Sequence, residues 1–258
     1  MTLRFMNSSN SDEREFAIAG VGHVLFAAIL IWLGLLGFRA GDFAPVWQPA
    51  PKWVPMHTPL AYLCAFISLA SGIGLLWKRS AAIAARVIFV SFAVWLLVMR
   101  LPNLVVQKPL VLAAWPCGCI GVMLAAAWVL HAWFGGIKGI RIARVVYGLS
   151  LIPFGLAHFL YVDATTVLIP NWLPWHTALA YGTGATFIAA GLAIVAGVVA
   201  RWAVTLSTLQ FGLFGLIVWI PRVIGGKVTP FQWGEFVVTF ALAAAGWVVM
   251  DSFRGEQH

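Results

Sequence analysis

The sequence predicts an all-α, polytopic membrane protein of eight transmembrane helices, arranged as two parallel-repeat four-helix bundles. Three observations predict it. Of 258 residues, 62% are hydrophobic and only 9% charged, and the mean hydropathy is +0.95. A soluble domain carries about 25% charged residues, so this chain lacks the polar surface to coat a globule in water. Its apolar residues fall in eight runs of bilayer-spanning length, about 20 residues each. One half-polar phrase, WVPMHTPLAY (Trp53 to Tyr62), also returns as WLPWHTALAY (Trp172 to Tyr181).

The elements follow in order. Residues 1–15, MTLRFMNSSNSDERE, have no apolar h-region and no small-residue cleavage site, and are expected to be a polar tail rather than a signal peptide. The first spans are expected at Phe16–Phe38, Thr58–Trp77, Ala81–Met99 and Val111–Trp133. Those of the second half are expected at Ile142–Tyr161, Thr177–Ala200, Trp202–Pro221 and Glu235–Met250. The connectors RLPNLVVQKPL and PRVIGGKVTPFQW are rich in turn formers. Pro153, next to Gly155, should kink the fifth span and mark a pocket side.

The two phrases lie 119 positions apart, and the same offset pairs Gly72 with Gly191, Phe92 with Phe211, Pro102 with Pro221 and Lys108 with Lys227. Apolar similarity between membrane helices is common, but Trp, His, Pro and Lys matching at one offset indicates duplication. The repeats cover residues 16–134 and 141–253. Each holds four spans, an even number, so both enter the membrane in the same sense and both phrases face the same side. Ten of the 16 Lys and Arg residues fall in the tails and in the connectors after even-numbered spans. This bias places both termini in the cytoplasm of a bacterial-type inner membrane, with the phrases facing outward. The net charge of +8 therefore fixes topology, with the lipid bilayer as the partner and no nucleic acid.

Helix entry and interfacial anchoring explain most of the repeated phrase. Pro55 and Pro174 end an extended approach, Thr58 and Thr177 are suited to N-cap the next helix, and the Trp rings suit the interface. Neither role requires imidazole, yet both copies carry it, at His57 and His176. His158, Asp163, Arg100, Arg222 and Glu235 fall near the same face. Ionisable groups at membrane depth are costly and are usually paired or functional. These seven residues are the candidate site for the polar head of a lipophilic ligand, with a structural salt-bridge ring as the competing reading. Cys117, Cys119 and Cys64 are candidate ligands for a soft metal, against the reading that each is a small buried hydrophobe. The halves diverge at polar positions: Arg39 meets His158, and Cys117 meets Glu235 after one residue of slippage. Such divergence points to one asymmetric site, or to one half retained mainly as scaffold. No P-loop, dinucleotide fingerprint, zincin or nucleophile-elbow motif is present, and no catalytic residue is assigned.

The segment RIARVVYGLSLIPFGLAHFLY, followed by WLPWHTALAYGTGATFIAAGLAIV, resembles the DoxX-like membrane proteins. Arg144, Gly148, Gly155, His158, Gly184 and Gly191 carry the resemblance, which covers residues 141–253 well and 17–134 through the repeat. Typical members have one four-helix unit, where this chain has two. The resemblance implies an accessory subunit of a membrane redox system. The expected function is to hold a quinone-like or other lipophilic ligand near the outer face, with a redox partner protein supplying electrons. In that reading His57, His176, His158 and Arg222 donate to ligand carbonyls, while Glu235 or Asp163 moves protons. The alternative is a non-enzymatic module, either an assembly factor or a carrier of a small solute or metal.

The charge bias sets a direct test of topology. Reporter fusions after Lys138 and at the C-terminus should score cytoplasmic, and one near Gly226 external; reversed scores would refute the orientation.

Overall fold

The computed structural model describes residues 19–50, 54–226 and 228–254. The polar tail, the expected first-span start at Phe16, Pro51 to Trp53, and Lys227 lie outside the described residues. Among the described residues the secondary structure is helical, without strands. Eight helices are long and apolar enough to cross a membrane: α1 Val21–Ala40, α2 His57–Leu76, α3 Ala81–Val106, α4 Leu110–Gly135, α5 Ile140–Leu160, α6 His176–Ala196, α7 Ala200–Ile224 and α8 Pro230–Asp251. The chain is a multi-pass membrane protein.

Helix starts and defects recur along the chain. The first residues of α1, α2 and α3 return 119 positions later as those of α5, α6 and α7. The π-helical stretches at Trp95–Arg100 in α3 and Phe214–Trp219 in α7 obey the same offset. So do the left-handed residues before α2 and α6, Met56 (φ 52°) and Trp175 (φ 55°). These residues, not Thr58 and Thr177, occupy the N-cap positions, and neither makes a side-chain cap bond. The expected threonine caps are therefore corrected: the backbone turns one residue earlier, and His57 and His176 become the first helical residues. A bulky residue in the left-handed region costs roughly 1–2 kcal/mol, and the strain recurs at both phrases and again at Val199 (φ 45°) before α7.

Packing follows a ring. Helix α1 packs on α2 as α5 does on α6, α2 on α3 as α6 on α7, α3 on α4 as α7 on α8, and α4 on α5 as α8 on α1. Helices α4 and α8 also meet, dividing the ring into an α1–α3 lobe and an α5–α7 lobe, with the α4–α8 pair between them. That central position explains why α4 contributes so many of the fully buried side chains, from Ile120 to Leu130. Outward faces are apolar at helical spacing: Val87, Val90, Val94 and Leu97 on α3, and Leu206, Leu209, Leu213 and Leu216 on α7, are all exposed. A stripe of this kind meets acyl chains, because water would make it an aggregation surface.

The α5–α6 contact is the tightest. A Cβ on Gly155 would sit 2.5 Å from the Gly184 carbonyl oxygen, and one on Gly191 would sit 2.6 Å from that of Gly148. The spacing of seven on both helices brings two Gly–Gly pairs into register, as small residues allow in membrane interfaces. Gly72 likewise abuts the Ala27 carbonyl, and Gly74 abuts Ala84. The ends of the ring are tied together by Asp251, whose Oδ2 accepts the Gly22 amide at 3.0 Å in the first turn of α1.

Gly155→Ala should lower stability by about 1–3 kcal/mol, because the facing atom is backbone and cannot move aside. Gly182→Ala, with nothing within 4 Å of its would-be Cβ, should leave stability unchanged or raised. Thermal unfolding in one detergent would compare them, and equal losses would refute the packing argument.

Candidate functional site

The two lobes are filled differently. In the first, the α1–α2 connector turns inward through a short 3₁₀ helix, Pro45–Trp47, and buries Phe43, Ala44, Val46 and Trp47. The Trp47 indole stacks on Phe92 with centroids 4.9 Å apart, and its Nε1 donates to Ser68 Oγ at 3.1 Å. The irregular backbone this creates is satisfied by Arg100, which is 1% exposed. Its guanidinium donates to the carbonyls of Trp47 (2.7 Å), Gln48 and Pro49.

In the second lobe the offset puts Phe187 in place of Ser68 and Trp219 in place of Arg100. Phe187 packs on Phe211 with centroids 5.0 Å apart, so a helix-borne ring fills the place taken by Trp47 in the first lobe. The α5–α6 connector is thereby left outside. It forms a short helix, Val162–Thr166, with no buried residue, and roofs a cavity of about 770 Å³. Its walls come from α4 (Leu112, Trp115, Pro116, Cys119), α5 (Phe154, Ala157, His158), α6 (Leu179, Thr183, Phe187), α7 (Phe211, Phe214, Ile217, Trp219) and α8 (Glu235, Val238, Thr239, Leu242). Pro45, Gln48 and Pro49, on the far side of the clamped connector, complete it. From Phe231 to Leu242 the lining rises eleven steps along one helix, about 16 Å at 1.5 Å per residue. Volumes of roughly 300–1,000 Å³ with few polar groups are typical of small-molecule sites.

The structure separates the candidate residues. His158 and Glu235 line the cavity. His158 Nδ1 lies 2.8 Å from the Phe154 carbonyl, and the ring stacks on Phe214 with centroids 5.9 Å apart. Arg222 and His176 act on the roof instead: Arg222 Nη2 donates to the Val167 carbonyl at 2.6 Å, and His176 Nε2 lies 3.2 Å from the Pro170 carbonyl. Arg222 also borders a smaller cavity of about 240 Å³ that shares the Leu168–Pro170 wall. The other three lie elsewhere. Arg100 is held inside the first lobe, His57 is exposed with its Nε2 3.8 Å from Asp42 Oδ1, and Asp163 is exposed on the roof helix. No single ring of seven polar groups forms, because the plug in the first lobe separates Arg100 and His57 from the cavity.

The metal candidates do not converge. Among the described residues no three His, Cys, Asp or Glu side chains could jointly hold a metal ion, and all three cysteines are free. Positions two apart on a helix do not face the same way, so Cys117 and Cys119 diverge. Cys64 packs in the hydrophobic core on α2, and Cys119 lines the cavity. Pro153 lies inside α5 but off the cavity wall, whereas Pro116 lies inside α4 and on it. Pro116 has no N–H for the Leu112 carbonyl four residues earlier, and both residues line the cavity.

No family model, curated protein or solved structure matches the chain. The site rests on its own geometry. Sequence reading missed Gln48, Trp115, Tyr161, Thr183, Gln232 and Thr239 in the wall. Helical spacing carried a signal for some of them: Phe154, Ala157, His158 and Tyr161 share one face of α5 and its end, as do Gln232, Glu235, Thr239 and Leu242 on α8.

Arg100→Gln should lower stability by about 1.5–3 kcal/mol, the worth of a hydrogen bond to a charged donor. Arg222→Ala should leave the melting temperature nearly unchanged while speeding ligand exchange through the loosened roof. Melting curves and dissociation rates separate the two roles; a large melting shift for Arg222→Ala would contradict the assignment.

Proposed function

We propose that this protein holds a lipophilic ligand with a polar head in the second lobe, in the outer half of the membrane. The cavity of about 770 Å³ carries the reading: its walls are mainly aromatic and aliphatic, and His158 and Glu235 are both among them. An apolar body gains roughly 25 cal/mol for each Å² it buries, although lipid already supplies much of that gain. The head group therefore decides specificity, since a polar group unpaired in an apolar wall is costly.

The two halves are read as duplicated DoxX-like four-helix units, with both termini cytoplasmic. The ligand is read as quinone-like, bound in a form that bears a hydroxyl, and the chain as a membrane subunit of a redox-associated system with a separate electron-carrying partner. The resemblance in α5 and α6 and the shape of the cavity support this reading. The plugged first lobe then acts as scaffold, because its connector occupies the space that the second lobe leaves open.

Mass spectrometry of an organic extract from protein purified in mild detergent tests the proposal. A lipophilic compound at near-stoichiometric level is expected. His158→Phe should reduce its retention by up to about tenfold, the upper worth of one hydrogen bond, while His176→Gln, remote from the head group, should retain it. An extract holding only bulk lipid, with a well-folded protein, would overturn the proposal in favour of a non-enzymatic module.

A further inference from the structure

We infer that the inner part of the cavity recognises a hydrogen-bond donor on the ligand, so that a head bearing a hydroxyl is bound in preference to one bearing only carbonyl or ether oxygens. The inference rests on the cavity being a ligand site, and it specifies the ligand's chemistry.

His158 presents an acceptor to the cavity. A carbonyl oxygen accepts only, so the 2.8 Å contact between His158 Nδ1 and the Phe154 carbonyl requires the proton on Nδ1. In the neutral imidazole the other nitrogen, Nε2, then carries a lone pair and can only accept. The ring cannot turn to present its N–H to the cavity without abandoning that carbonyl and its stacking on Phe214. Glu235, on α8, also lines the cavity and has no hydrogen-bond or ion-pair partner among the described residues; its carboxyl accepts when ionised and donates when protonated, so the preference is set by His158. Thr183 points the same way. Its Oγ1 lies 2.9 Å from both the Leu179 and Ala180 carbonyls, which take its one proton and leave lone pairs for a ligand.

Groups able to donate stand one turn nearer the mouth. Gln232 precedes Glu235 by three residues, and its Oε1 accepts the Thr229 amide at 3.0 Å, which leaves the amide N–H₂ free. Tyr161 follows His158 by three residues and brings a phenol to the rim. The cavity is thus tiered, with acceptors inside and donors outside. The Thr239 hydroxyl deeper in the wall can serve in either sense. A carbonyl oxygen placed at the inner tier would face lone pairs at His158 Nε2 or Thr183 Oγ1. A hydroxyl at the same place would satisfy one of them. Phenols, quinols and aliphatic alcohols share this chemistry.

The test uses the full chain in lipid nanodiscs and two probes that differ in one proton, 1-naphthol and 1-methoxynaphthalene, with affinity read from thermal shift across a titration. Naphthol is expected to bind about tenfold more tightly. In His158→Phe, which keeps a ring against Phe214, the ratio should fall to about two or less. Glu235→Gln, which adds an N–H₂ donor to the inner tier, should raise affinity for 1,4-naphthoquinone relative to naphthol. Binding of 1-decanol at naphthol-like affinity would support the donor rule and assign the head to aliphatic alcohols. Equal affinity for the two naphthalene probes in wild type overturns the inference and leaves the cavity reading standing. Failure of every probe to bind overturns both.

Discussion

Arg100 carries the interaction on which the difference between the lobes depends. A membrane interior offers no water to backbone carbonyls, and non-helical chain at that depth survives only where protein groups satisfy it. The α1–α2 connector enters the first lobe as irregular backbone, and three of its successive carbonyls converge on one guanidinium. Arginine suits this task, since it presents a planar fork of donors and stays charged. With the carbonyls satisfied, Trp47 and Phe43 can remain among the helices and fill the lobe.

The second lobe shows what happens without that clamp. Trp219 stands where Arg100 would be, and its single indole N–H could satisfy at most one carbonyl of an inserted connector, not three. Phe187 stands where Ser68 would be, and its ring takes the place against Phe211 that Trp47 takes against Phe92. Two substitutions between the halves thus convert a plugged lobe into an open one with a roof. Arg222, one turn beyond Trp219, still reaches its connector, but from outside and through one carbonyl. One fold carries a solid half and a hollow half.

Glycines set the approach of the helices around the hollow half. The Gly148–Gly191 and Gly155–Gly184 pairs draw α5 and α6 together, and Gly118 lets α4 come against the Ser150 carbonyl of α5. The cavity lies on another flank of α5, lined by Phe154, Ala157 and His158. His158 sits at this boundary, one turn beyond Phe154 and against the Gly184 backbone, which fixes both its place and its tautomer.

The sequence by itself determined the membrane class, the eight spans, most of their limits, and the offset of 119 at which helix starts and π-helical stretches recur, although α3 runs on past Met99 to Val106 and α8 begins at Pro230 rather than Glu235. These features depend on local hydrophobic runs and on covalent spacing, both of which a linear reading preserves. His158 and Glu235 were legible as candidates because a polar group in an apolar helix stands out against its neighbours. The roles of the rest were settled by tertiary structure. Arg100, Arg222 and His176 read alike as ligand contacts, yet each binds main-chain carbonyls, and carbonyls carry no sequence signature. Gln48 belongs to the first repeat but lines the cavity of the second lobe, because its connector lies over the α4–α8 pair. The three cysteines read as a cluster, whereas helical rotation separates Cys117 from Cys119, and Cys64 packs on a different helix in the core. A cavity is space left between side chains distant in sequence, so packing in three dimensions decides where it lies.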